Sequence, residues 1–144
     1  MTLSVSASED SPAVEVAPVR ILLYSDNALV RDEVKGNVGE TIGADSRPIE
    51  WTEVATHEMA VILCLEGRYD LIVMDNEASR LGGVGLTSQL RSELDWQPTV
   101  LLLLARQQDA WLAAWSGADA ALLQPVDPLE LADEISRLTG LATA

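Results

Sequence analysis

The sequence predicts an α/β fold: a doubly wound parallel sheet of five strands with helices on both faces, stacked as a three-layer sandwich. Three observations predict it. Short apolar runs alternate with segments of helical period from residue 19 to residue 138. Several runs, DLIVM and TVLLLL above all, are nearly continuous in apolar character, as strands covered on both faces must be. With 144 residues and 48% hydrophobic side chains, the chain is long enough for one ordinary core and too short for two.

The strands are expected at VRILLY (19–24), IEWTEV (49–54), DLIVM (70–74), TVLLLL (99–104) and AALL (120–123). Leu29, Val30, Val34 and Val38 give the first helix an apolar stripe. Met59, Ile62 and Cys64 or Leu65 give the second a similar one before Gly67 stops it, and His57, near its start, lies away from any candidate chemistry. The third helix spans about residues 85–94, after a GGVG loop that lacks both a P-loop lysine and the full G-x-G-x-x-G spacing. The fourth is DAWLAAWSG, ending at Gly117. Its phase is expected to turn Trp111 and Ala114 to the sheet and to leave Leu112 and Trp115 facing solvent. The fifth begins with Asp127 as N-cap and Pro128 at the first helical position, and buries Leu131, Ile135 and Leu138.

Residues 19–140 are therefore read as one domain, residues 1–18 as a disordered arm of small, polar and acidic side chains, and residues 141–144 as a tail. The chain ends just after the fifth helix, where no appended output domain is expected. The 23 acidic against 9 basic residues give a formal charge of -14, which repels nucleic acid and anionic lipid alike. A single cysteine, Cys64, in an apolar stretch reads as a core thiol in a reducing, cytoplasmic compartment. There is no secretory signal, and no apolar run approaches the roughly 20 residues of a bilayer span.

Five βα units of this length imply a flavodoxin-like strand order, 2-1-3-4-5, with the ligand crevice at the carboxyl ends of the strands. Asp26 and Asp75 come directly after the apolar runs of the first and third strands and so both sit there. In this arrangement ILLYSDN, YDLIVMD, WSGADAALLQP and VDPLEL, in that order and at near-standard spacing, resemble the receiver domain of two-component response regulators, in particular stand-alone actinobacterial members. The resemblance covers essentially residues 19–138. It implies that Asp75 is the phosphoacceptor position, that Asp26 is the second acid of a magnesium site, and that the backbone carbonyl of Glu77 faces the ion. It also implies a histidine kinase as phosphodonor, and dimerisation or partner binding through the fourth helix, fifth strand and fifth helix.

The departures from the family pattern are as informative. Ser25 stands where the first acid belongs and offers a hard cation no charge. The threonine or serine position falls within residues 102–104, with Leu103 at its centre, and none of the three carries a hydroxyl. The lysine position is Gln124, which cannot make the charge-assisted bond of an ammonium to a phosphoryl oxygen. Such a bond is worth roughly 1.5–3 kcal/mol. The aromatic switch position is Ala121. The expected function is that of a pseudo-receiver: not an enzyme, with Mg2+ weak or absent, acting by protein contact through Leu112, Trp115 and Leu129. One alternative is a working receiver phosphorylated on Asp75 with Mg2+ bound. The other is a small-ligand or nucleotide-binding protein on the same sheet, against which stand the lack of a paired base and nucleophile and of a nucleotide fingerprint.

Overall fold

The computed structural model describes residues 17–77 and 82–141, so the expected arm, apart from residues 17 and 18, and the tail beyond residue 141 lie outside the described residues. In chain order the elements are β1 (Val19–Tyr24), α1 (Ala28–Val38), β2 (Thr41–Ile42), β3 (Arg47–Val54), α2 (His57–Glu66), β4 (Leu71–Asp75), α3 (Gly83–Glu93), β5 (Val100–Leu104), α4 (Ala110–Trp115), β6 (Ala120–Leu123) and α5 (Pro128–Leu138). The sheet runs β2-β3-β1-β4-β5-β6. Its five long strands are parallel and take the expected 2-1-3-4-5 order.

The sixth strand corrects the expected count. Thr41–Ile42 pairs antiparallel with the start of β3, Thr41 against Pro48 and Ile42 against Arg47. Gly43 (φ 83°) and Ser46 (φ 51°) turn the chain back between them. Two residues are too few to show a hydrophobic period, so this edge is invisible in the pattern.

Local chemistry sets the helix starts. Asn27 Oδ1 accepts from the Leu29 N–H at 3.0 Å, Thr56 Oγ1 from the Met59 N–H at 3.2 Å, and Asp127 Oδ2 from the Glu130 N–H at 3.0 Å, each satisfying a donor that has no partner inside its helix. The helix α3 begins at Gly83, two residues before its expected start. A Cβ there would lie 2.5 Å from Leu102 Cδ2, so glycine lets the helix approach the sheet.

Successive strand residues alternate between two cores. Leu22, Tyr24, Ile72, Met74, Leu102 and Leu104 face one way and pack with residues of α2, α3 and α4. Ile21, Leu23, Leu71, Val73, Leu101 and Leu103 face the other way and pack with Val34, Leu131 and Ile135 of α1 and α5.

Three helix faces differ from expectation. Leu29 is 77% exposed, outside the stripe of α1. On α2 it is Ala60, Val61 and Cys64 that turn inward, while Met59, Ile62 and Leu65 turn to solvent. The run from Met59 to Leu65 is apolar without a break, and such a run carries no phase. On α4, Trp111 is 67% and Trp115 78% exposed, Leu112 is half-buried, and Ala113 and Ser116 face the sheet. A short 3-10 turn, Gln107–Asp109, leads into this helix, with Asp109 buried against the Arg106 guanidinium (3.2 Å).

Candidate functional site

The carboxyl ends of β1 and β4 bring Ser25 and Asp75 together. Both continue the alternation of their strands on the α1/α5 side, and both are buried, Ser25 completely and Asp75 to 4% exposure. Ser25 Oγ donates to Asp75 Oδ2 at 2.8 Å and accepts from the Asn27 N–H at 3.1 Å. The Glu77 N–H donates to Asp75 Oδ1 at 2.8 Å. Each oxygen of the Asp75 carboxylate thus has a neutral donor from this chain. Next to it, Asn76 Oδ1 accepts from the Val84 N–H at 3.0 Å and ties the end of β4 to the first turn of α3.

Asp26 and Glu77 are exposed at the same end of the sheet. The negative field there reaches Tyr24, whose hydroxyl is pushed up from its ordinary pKa by burial first and then by the carboxylates of Asp26, Glu58 and Asp75. Among the described residues no three His, Cys, Asp or Glu side chains form a group able to hold a metal ion. The donor set does not fit a firmly held divalent cation. Ser25 offers a neutral hydroxyl, which already donates to Asp75 Oδ2.

The remaining expected positions separate onto the two faces. Leu103 pairs in register with Asp75 and lines a small hollow with Val34, Gln124 and Leu131 on the α1/α5 side. Leu104 turns the other way and lines a hollow of about 140 Å³ with Gln107, Ala110, Ala121 and Leu123. The strand-end residue that shares a space with Ala121 is therefore Leu104, not Leu103. Neither carries a hydroxyl. Gln124 precedes a cis peptide to Pro125.

One support was missed in the sequence. Arg31 of α1 donates through Nη1 to the Ser25 carbonyl at 2.5 Å and pairs through Nε with Glu53 at 3.0 Å, while Lys35 pairs with the same Glu53 at 2.6 Å. The Lys35 hydrogen bond, with a further contribution from Arg31 and against a smaller effect of burial, holds the Glu53 carboxyl below its ordinary range. The available signal was the spacing of Arg31 and Lys35, one turn apart on a face that meets an acidic strand end.

The interface residues expected from sequence lie apart from this pocket. Leu129 is 73% exposed at the start of α5 and Trp115 projects from α4, with Trp111 beside it in the position expected of Leu112. Cys64 is buried, and burial pushes its thiol up to about 11, as a core thiol requires.

Comparison with known proteins agrees with this geometry. No family model matches the chain. An uncharacterized response regulatory protein of Mycobacterium tuberculosis is 42% identical over 113 residues, 78% of this chain and 85% of that protein. Among solved structures, the receiver domain of the Francisella response regulator 1452 matches 84% of this chain and 96% of its own with a TM-score of 0.71 at 23% identity. The receiver domain of the Pseudomonas aeruginosa sensor histidine kinase PA1611, solved with a magnesium ion coordinated in its active site cleft, matches 86% and 99% with a TM-score of 0.69 at 27% identity. With the strand order, Asp75 at the end of β4 and a relative of this similarity over most of its length, the chain belongs to the response regulator receiver family of two-component systems.

Proposed function

We propose that this chain is an atypical receiver that signals by protein contact without a conventional phosphorylation switch, as a cytoplasmic, non-enzymatic component of its pathway. The observation that carries this reading is the Ser25 hydroxyl at 2.8 Å from Asp75 Oδ2, buried where a receiver would place a carboxylate. Gln124, Leu104 and Ala121 support it, because the cation, the hydroxyl and the aromatic ring that would respond to a phosphoryl group are all missing. A ligand stabilises one state of a protein only by binding that state better, and here the differential contacts are gone. Output then leaves through the face of α4, β6 and α5, where Trp111, Trp115 and Leu129 stand exposed and Leu112 lies half-buried beside them. The partner is another protein or a second copy of the chain, and exposed tryptophan is the residue type most enriched at binding hot spots.

The test is intact mass after incubation with a small-molecule phosphodonor and Mg2+, followed by amide shifts with beryllofluoride, with Asp75→Ala as control. Neither an adduct nor shifts around Asp75 are expected. An adduct that Asp75→Ala abolishes overturns the reading. Trp115→Glu tests the face separately: loss of partner binding or of dimerisation with the amide spectrum otherwise intact is expected, and retained association removes that assignment.

A second reading, a working receiver phosphorylated on Asp75 by a histidine kinase, is favoured by the retained aspartate at the strand end and by the magnesium in the cleft of the Pseudomonas receiver. In that case Asp26, Asp75 and the Glu77 carbonyl hold a weak Mg2+, and the adduct above is its signature.

A further inference from the structure

The helix α2 carries seven consecutive apolar residues, Met59 to Leu65, around its whole circumference. A helix of that composition is ordinarily covered on both sides. Here the sheet covers one side only, through Ala60, Val61 and Cys64. The opposite side presents Met59 at 45%, Ile62 at 46% and Leu65 at 60% exposure, spaced three residues apart so that Ile62 lies at the middle of the solvent face. Glu58 and Glu66 close this stripe at its two ends, about 12 Å apart along the axis at 1.5 Å per residue. Glu58 stays 59% exposed although its carboxylate lies 3.5 Å from His57 Nδ1, and Glu66 is exposed. This surface belongs to a different helix from the α4, β6 and α5 face and shares no residue with it.

The charges at the ends decide what can cover it. In a self-complementary contact the stripe of one copy meets that of the other. Antiparallel pairing then sets Glu58 against Glu66 at both ends, and parallel pairing sets each glutamate against its own copy. Either arrangement places like charges together around a desolvated apolar centre, in a chain of formal charge -14. A partner with cations at the same spacing meets neither penalty. We propose that the outer face of α2 is a docking surface for an amphipathic helical segment of another protein, one that carries an apolar stripe with lysine or arginine about two turns apart at its ends.

The probe is a helical peptide with leucines on one face and a lysine beyond each end of the leucine stripe, set against the same peptide with glutamates in place of the lysines. Amide shifts of the full chain report where each binds. The lysine peptide is expected to move resonances of Met59, Ile62 and Leu65 and to bind at least tenfold more tightly than the glutamate peptide. Ile62→Asp, at an exposed position, is expected to weaken binding at least tenfold while leaving the remaining amide spectrum unchanged. The double variant E58K/E66K is expected to invert the preference between the two peptides, a result that a general loss of stability cannot produce. The proposal is overturned if neither peptide shifts α2, if both bind α2 equally, if the shifts fall on Trp111 and Trp115 instead, or if sedimentation shows self-association that Ile62→Asp abolishes. The last outcome would assign the surface to a second copy.

Discussion

Asp75, which ends β4, and Trp115, on α4, are built in opposite ways. The carboxylate is 4% exposed with a donor on each oxygen, and the indole is 78% exposed. At the end of β4, Ser25 closes onto Asp75, and its hydroxyl satisfies from within the chain a buried oxygen that would otherwise need another partner. On the α4 side the reverse holds. Ala110, Ala113, Ala114 and Ala121 are too small to fill the layer between α4 and β6 and leave shallow hollows of about 140 and 180 Å³, while the large rings of the same helix stay outside. A hydrogen bond closes one region, and small side chains leave the other open.

The largest effect comes from removing the donor to Asp75. Ser25→Ala removes the donor to Asp75 Oδ2 and leaves a buried acceptor short of a partner, at a cost of roughly 1–3 kcal/mol. Urea unfolding at neutral pH measures it, and an unchanged midpoint would mean that water replaces the hydroxyl freely. Ser25→Asp tests the same oxygen from the other side. It restores a carboxylate, so Mg2+ affinity should rise about tenfold, or about 1.4 kcal/mol, in a titration followed by amide shifts. Equal affinity in wild type and variant would show that Glu77 already supplies the missing charge.

On the open side the expected sign reverses. Ala121→Leu adds methyl groups toward a hollow and should stabilise by about 1 kcal/mol, given roughly 0.8 kcal/mol for each fully buried methylene. A loss of stability would mean that the alanine layer is already closely packed. The smallest effect concerns the brace behind Ser25. The Glu53 carboxyl is held below its ordinary pKa of 4.5, so its contribution is present above that value and lost as the pH falls through the folded-state value. Lys35→Met should cost a few tenths of a kcal/mol at pH 7, as partly exposed ion pairs do, and should flatten the acid limb of the stability profile. A pH profile parallel to that of wild type would remove Glu53 from the account.

Much of the fold was legible because it rests on local rules. The Asp127 cap with Pro128 after it and the five parallel strands all follow from residues near one another in sequence, and each strand was found within two residues of its expected bounds. The placement of Asp26 and Asp75 at one end of the sheet followed as well, since parallel strands must share a carboxyl edge. The strand-end position facing Ala121 was not legible. Leu102, Leu103 and Leu104 are chemically equivalent, and only the register against β4 and β6 separates their faces.

The sequence by itself determined the layers, the order of the five parallel strands and the residues that end β1 and β4, because period, caps and strand ends are encoded within a few residues of each other. Tertiary structure alone decided the rotation of α2 and α4, the extra edge strand β2, and the closure of Ser25 onto Asp75. An unbroken apolar run or an alanine-rich turn has no preferred inward side until a sheet is laid against it. A hydrogen bond between residues 50 positions apart exists only once β1 and β4 lie side by side.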